Sequence, residues 1–416
     1  MRLLKNIIKF IISIITKIFG WFIFQNPRAW FCIPGDSLKD VTNNILNYTH
    51  DNINSFIHHV STYHDDNNIK IHLIIHSKER YKELNNFAFQ LKYIRIKYIY
   101  IINPIKFNVF LLIKNYIIFY FYFYSSKYII YQNVMDRYYK LKRQTSICIN
   151  YYTPFKLDLK HNPKLNNIDY VIMSSNSASQ IDSIASHISY LKYRNFGRPK
   201  DDHIIKPRFT KNEVCKKLGF NDNIKKIVLY LPTHRDYERI NAVERNIFGY
   251  TGDYSTLNNI LIKHNAMLII KIHIAQKDGH ILFINNLSNI QLYQSSYEYM
   301  VDDIMPYTDL LITDYSSVSF DFMLTGKPII YNFFDVDVYK ETRGFSWDPV
   351  EIICAGPIVK TKDEFEIAID ENLSNNDNKF NEKYNWVCQL THAYTDGNSC
   401  ERIYSFLMQL MNKNIK

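Results

Sequence analysis

No C-x-x-C pair occurs in this 416-residue chain, and none of its six cysteines, at 32, 148, 215, 354, 388 and 400, stands at metal-ligand spacing from a histidine. The absence argues against a disulfide framework and a zinc module, and leaves core thiols kept reduced in a cytoplasmic compartment. Zinc-finger spacing, an RNP-type motif and a basic heptad are missing too, so no nucleic-acid partner is expected. No small-residue cleavage site follows the first apolar run, where Gly20-Trp21-Phe22-Ile23 stands instead, which argues against a cleaved signal. The acidic pairs Asp201-Asp202 and Asp302-Asp303 do not form a metal-binding D-x-D, and both are expected to be solvated charge.

What is present is unevenly charged. Residues 1–210 hold 29 Lys/Arg against 13 Asp/Glu, whereas 211–416 hold 21 against 27. The basic half calls for an acidic partner, and an anionic membrane surface or a phosphate-rich substrate fits. Within residues 1–25, Lys5, Lys9, Ser13 and Lys17 recur every four residues and share one helical face, with Ile, Phe and Leu on the others. An in-plane amphipathic membrane helix is expected, because a spanning helix would have to bury Lys9 and Lys17. A second apolar run, 107–124, contains Lys114 and reads as a buried helix or strand pair, with Lys92, Arg95, Lys97 and Lys106 before it.

Strand-like runs at 71–75, 98–102, 128–131, 146–150 and 170–173 alternate with helix-length segments such as 42–48 and 78–91. That alternation predicts a parallel α/β sheet. A linker near 206–221 with a short helix at 211–218 leads into a second α/β unit, in which three strands end on polar residues. Thr233, His234 and Arg235 follow the first, Lys271 and His273 lie two apart at the end of the next, and Asp314, Ser316 and Ser317 follow the run 310–313. In open parallel sheets ligands bind outside the carboxyl ends of the strands, so these residues are expected to surround one anionic ligand. The Ser316-Ser317 turn should open a helix over Val318, Phe320, Phe322 and Met323, stopped by Gly326 and Pro328 before another strand.

The runs LLITDYSSVSFDF (310–322), GKPIIYNFFDVDVY (326–339), RGFSWD (343–348) and GPIVKT (356–361) together resemble the CDP-glycerol glycerophosphotransferase family, the teichoic-acid primases and polymerases and their capsule relatives. The match covers about residues 30–400. It includes Y-L-P-T-H-R-D at 230–236 and K-I-H at 271–273, where relatives carry R/K-x-H-P and this chain has Ile274 for the proline. The resemblance implies a GT-B-like pair of doubly wound Rossmann-like domains: an acceptor-side domain at 26–205, a CDP-donor domain at 206–395, and a helix within 396–416 returning to the first. It implies transfer of glycerol phosphate or ribitol phosphate from a CDP donor to a lipid-linked acceptor at the cytoplasmic face of the membrane, with no protein-held cofactor and free Mg²⁺ as an escort of the donor.

The same resemblance gives His273, Arg235 and Tyr151 catalytic positions, and Lys271, Asp314, Ser316, Ser317, Thr233, His234, Lys156, Arg343 and Asp36 donor or acceptor contacts. Two departures stand out. Tyr151 occupies the place of the histidine in the relatives' W-H-G-T-P-L-K, and a phenol of ordinary pKa near ~10 is a poor base at neutral pH. Asp36 and His161 are substitutes for it. In Asn195-Phe196-Gly197-Arg198-Pro199-Lys200-Asp201 the family's Pro and Arg are in swapped order, which reads equally as a solvated loop arginine. A GT-B sugar-nucleotide glycosyltransferase and a non-catalytic nucleotide-binding member are the alternative readings.

Overall fold

The computed structural model describes residues 23, 25–33, 52–64, 69–75, 95–100, 109–132, 140–150, 168–233, 248–249, 254–271, 287–293, 301–342, 344–374 and 380–413. The expected helices at 1–25, 42–48 and 78–91 fall outside them, apart from residues 23 and 25. Two all-parallel sheets organise the chain. The first contains β1 (Asn26–Ile33), β2 (Lys70–Ile75), β3 (Arg95–Tyr100), β4 (Ser126–Tyr131), β5 (Thr145–Ile149), β6 (Tyr170–Ile172) and β7 (Tyr193–Arg194), in the order β3-β2-β1-β4-β5-β6-β7. The second contains β8 (Lys226–Leu231), β9 (Ala266–Ile270), β10 (Ile290–Leu292), β11 (Leu310–Thr313), β12 (Ile329–Asn332) and β13 (Ile358–Val359), in the order β10-β9-β8-β11-β12-β13.

Both sheets are covered on two faces, which is why strands such as Ala-Met-Leu-Ile-Ile in β9 are apolar without alternation. In the first sheet, Phe31, Ile129 and Cys148 point to a core with the helix α1 (Val109–Ser125), while Trp30, Cys32, Ile130 and Ile147 point to the other side. That other side is filled by Phe56 of the helix Asn52–Tyr63 and by Cys400, Ile403, Leu407 and Met411 of α2 (Ser399–Lys413). Their spacing of three and four residues puts one stripe of the last helix against the first strand. Trp30 stacks on Phe56 with ring centroids 6.0 Å apart.

Two expectations need correction. The central strand β1 was absent from the predicted strands, because Pro27 and Arg28 interrupt its apolar run; a proline is tolerated there since it sits at the strand's start, where the pairing with β4 is irregular. The apolar run at 107–124 is helical from Val109, and the described side chains of the helix divide between two sides: Phe119, Tyr120, Phe123 and Tyr124 are in the core, whereas Lys114, Ile117, Ile118 and Phe121 are exposed.

Gly356 shows why its position in GPIVKT tolerates no side chain. A Cβ there would lie 1.8 Å from the Ile329 carbonyl oxygen in β12, a backbone atom that cannot swing away. Gly356→Ala is expected to cost about 1–3 kcal/mol of stability through overpacking, read as a lowered urea midpoint; an unchanged midpoint would show that β13 can move off β12.

Candidate active site at the strand ends of the second sheet

The chain enters the second sheet at its centre. β8 is flanked by β9 on one side and β11 on the other, with Tyr230 opposite Ile270 and Leu231 opposite Thr313. From β8 the chain winds outward through β9 and β10, then returns to lay β11 on the other flank. The direction of winding therefore reverses between β8 and β11, the place where doubly wound sheets open a crevice.

Thr233 and Asp314 meet there. The Thr233 backbone N–H donates to both carboxylate oxygens of Asp314, at 2.9 and 3.0 Å, and both residues are buried. Below them the Thr313 hydroxyl donates to the Leu231 carbonyl at 2.7 Å. Next in the chain, Tyr315 is fully buried among Phe333, Tyr339 and Phe345, and its hydroxyl donates to Asp335 at 3.1 Å. An anchored ring between Asp314 and Ser316 fixes the turn that presents the two serines, both half-buried.

The helix they open, α3 (Val318–Met323), is six residues long, shorter than the expectation of a phosphate-binding helix terminus needs. Ser317 is its N-cap but lies in the α region without a side-chain capping bond, while Ser316 Oγ accepts from the Val318 N–H at 3.4 Å. The macrodipole of so short a helix is small, so donor capacity rests on the hydroxyls and the neighbouring cations.

Lys271 extends directly from β9, its N–H bonded to the Tyr230 carbonyl at 3.1 Å and its ammonium 5.6 Å from the Tyr293 ring. Burial draws its pKa down, with Asp302 opposing and Lys200 adding to the effect. An amine so placed gains from an anion brought beside it. Thr233, Lys271, Asp314, Ser316 and Ser317 thus stand at the ends of three adjacent strands. His234, Arg235, His273, Arg343, Tyr151, Lys156 and Asp36 lie outside the described residues, as does His161.

The segment joining the two sheets overturns the solvated reading of its charges. Arg198 is 1% exposed; its Nε donates to Asp201 at 2.8 Å and its Nη2 forms an ion pair with Asp321 of α3 at 2.6 Å. Lys200 also pairs with Asp321. Burial favours the neutral acid at Asp321, yet the two cations outweigh it and hold the carboxyl below its usual value; at Lys200 the same carboxylate overcomes burial and raises the amine. The backbone N–H of Lys200 donates to Asn52, whose amide donates to the Asn150 carbonyl, so the first sheet is tied through one linker to the helix that carries the serines.

The other acidic residues are engaged as well. Asp202 is buried and accepts from the backbone N–H groups of Ser399 and Cys400 at 2.9 and 2.8 Å, capping α2. Asp303 is buried against Arg208, at 2.8 and 3.0 Å, and Asp302 is half-buried with its pKa raised by burial. The spacing of charge along a chain says which groups are ionisable; it does not say which ones a tertiary fold encloses. Asn52, Lys200, Asp321 and His392 were all missed for this reason.

His392 touches the same network, its Nε2 3.4 Å from the Arg198 guanidinium. Since arginine can only donate, Nε2 accepts and Nδ1 carries the proton, 3.1 Å from the Thr391 hydroxyl. Burial first, and Arg198 second, push this imidazole down to about 3 from its ordinary 6.5; burial does the same to His203. The folded-state value lies below the unfolded one, so this contribution is complete above pH ~6.5 and is lost as pH falls toward ~3, each histidine adding up to ~1.4 kcal/mol per pH unit. The urea midpoint should therefore fall steeply between pH 6 and 4. His392→Gln should flatten that slope, and an unaltered slope would remove the histidine from the account.

The family model described as "CDP-Glycerol:Poly(glycerophosphate) glycerophosphotransferase" matches residues 46–409. The teichoic acid glycerol-phosphate primase of Bacillus subtilis (strain 168) is 28% identical over 266 residues, 62% of this chain and 62% of that protein. The teichoic acid ribitol-phosphate polymerase TarK of Staphylococcus aureus (strain NCTC 8325 / PS 47) is 31% identical over 191 residues, 44% of this chain and 34% of its own. The chain thus spans less than two thirds of the length of these curated relatives. Among solved structures, the wall teichoic acid polymerase TagF superposes with a TM-score of 0.73 at 17% identity, covering 99% of this chain and 95% of that one. A putative UDP-N-acetylglucosamine 2-epimerase of Listeria monocytogenes superposes at 0.56 with 12% identity, covering 93% and 97%.

Proposed function

Because the chain belongs to the CDP-Glycerol:Poly(glycerophosphate) glycerophosphotransferase family, we propose that it transfers glycerol phosphate or ribitol phosphate from a CDP donor to a hydroxyl of a membrane-linked acceptor, releasing CMP. The observation that carries this reading is the meeting of the β8, β9 and β11 ends at the winding reversal, with Lys271, the Thr233–Asp314 pair and both serines together. The acceptor oxygen attacks the β-phosphorus of the donor, the bond to the CMP oxygen breaks, and cations at the strand ends stabilise the charge on the transferring group and on CMP. Little covalent work falls to the protein in such a transfer, and positioning with electrostatic stabilisation supplies the rate. Lys271 is assigned to the donor phosphates, Ser316 and Ser317 to hydrogen bonds with them, and His273 and Arg235 to the leaving CMP.

Purified protein and membrane acceptor, incubated with labelled CDP-glycerol, CDP-ribitol and a panel of sugar nucleotides, should release CMP from a CDP-alditol. Release of nucleotide from a sugar nucleotide alone would replace this reading by a glycosyltransferase. Tyr151, in the place of the family histidine, favours a second reading, a member that binds CDP without turnover; binding with no release from any donor would select it.

The membrane part of the proposal rests on Lys5, Lys9 and Lys17 and on the exposed Ile117 and Phe121 of α1. Residues 1–22 lie outside the described residues, and among those described no helix is long and apolar enough to cross a membrane. Reversible attachment to the anionic cytoplasmic face follows, each lysine contributing about 1 kcal/mol near the surface. Vesicle binding should weaken as salt is raised, and protein that resists both high salt and alkaline carbonate would be spanning instead.

A further inference from the structure

Two histidines five residues apart converge on one carboxylate oxygen that is 342 and 337 residues away in sequence. His59, in the helix Asn52–Tyr63, and His64, just past its end, direct their Nε2 atoms at Oε2 of Glu401 in the first turn of α2, at 3.4 and 2.8 Å. The three ligand atoms lie within 4.8 Å of one another. A tetrahedral zinc ion with bonds of about 2.0–2.1 Å separates its ligands by roughly 3.3–3.5 Å. The His59 edge has that length already, and the His64 edge needs to open by about half an ångström, within the play of a glutamate side chain.

The surroundings hold the three groups in place. The His64 ring stacks on Tyr404 with centroids 3.6 Å apart, and the second carboxylate oxygen of Glu401 accepts from the Ser405 hydroxyl at 3.3 Å. Such outer contacts are what orient metal ligands. The histidines are 20% and 19% exposed and the glutamate 46%, so solvent reaches the group and supplies the remaining coordination.

We propose that His59, His64 and Glu401 form a binding site for one divalent transition metal of the zinc class, which staples the last helix to the first domain. None of the three belongs to the second sheet: the histidines lie on and just past the helix Asn52–Tyr63 and Glu401 on α2, the two helices that cover one face of the first sheet. Two imidazoles and one carboxylate suit zinc or cobalt and are a poor set for magnesium or calcium, which require oxygen ligands. The assignment departs from the sequence expectation of no protein-held metal, since Glu401 is 337 residues from His64 and no local spacing could join them.

The test uses the full chain, stripped with EDTA and dialysed, and needs no activity measurement. Titration with zinc chloride should give one saturable site per chain, and a hundredfold excess over the dissociation constant should raise Tm by about 5 °C, with magnesium and calcium chloride giving no shift. Cobalt should bind with visible bands and no thiolate charge-transfer absorption. Glu401→Gln, which keeps the side chain's shape, and His64→Ala should each weaken zinc binding at least about 100-fold, while His264→Gln leaves it unchanged; if His64→Ala fails to fold, Glu401→Gln decides. Absence of saturable zinc binding, zinc affinity unaltered in Glu401→Gln, an equal shift with magnesium, or a cobalt–thiolate spectrum would each overturn the assignment.

Discussion

Arg198→Ala is expected to lower unfolding stability by about 3–5 kcal/mol. The guanidinium is enclosed between Asp201 and Asp321, and its removal leaves two carboxylates in a site with 3% and 4% exposure and one remaining cation, Lys200. Loss of one partner from a buried pair costs far more than the pair contributes, because the remaining charge keeps its desolvation penalty. The quadruple variant Arg198→Met, Lys200→Met, Asp201→Asn, Asp321→Asn, which leaves no member of the cluster charged, should accordingly recover much of the single variant's loss. Urea unfolding of the three proteins at pH 7 measures both quantities. A loss below about 1 kcal/mol in Arg198→Ala would mean that water or Lys200 compensates, and the description of this segment as an enclosed electrostatic joint would fail.

His273→Ala is expected to slow phosphoalditol transfer by about 10²–10³-fold, the effect of losing one preorganised donor aimed at developing charge. His273 lies outside the described residues, and its assignment rests on the family motif and on its place two residues after Lys271, which the structure puts at the end of β9, next to β8. Ser316→Ala and Ser317→Ala remove neutral donors and should cost less, on the order of 1 kcal/mol each, chiefly in donor binding. The ranking is the content of this prediction. Near-full activity of His273→Ala with an intact circular dichroism spectrum would place the chemistry elsewhere.

Strand ends were legible in the sequence because apolar runs that stop at polar residues are a local signal, and β8, β9 and β11 each carry it. Their adjacency followed from the rules of parallel winding. The last helix, expected within 396–416 from the family resemblance, runs over Ser399–Lys413. What escaped were the properties that depend on partners. The swapped Arg198-Pro199 order read as solvated because nothing near it in sequence supplies Asp321, and Asp202 and Asp303 read as surface acids because the α2 terminus and Arg208 are brought to them by folding alone; Asp201 had Arg198 three residues away, but its burial depends on the same fold. β1 escaped for a local reason, the proline and arginine at its start.

The packing of α2 against β1 also fixes a timetable. Trp30 and Phe56 face Ile403 and Leu407, so a ribosome must add more than 340 residues after Phe56 before the partner surface exists. At about 5–20 residues per second that interval is roughly 20–70 s. During it the nascent first domain presents an aromatic patch with no helix over it, a binding surface for holdase chaperones, whereas the second sheet has every strand it needs once residue 359 has emerged. The half of the molecule that is made first is therefore the half completed last.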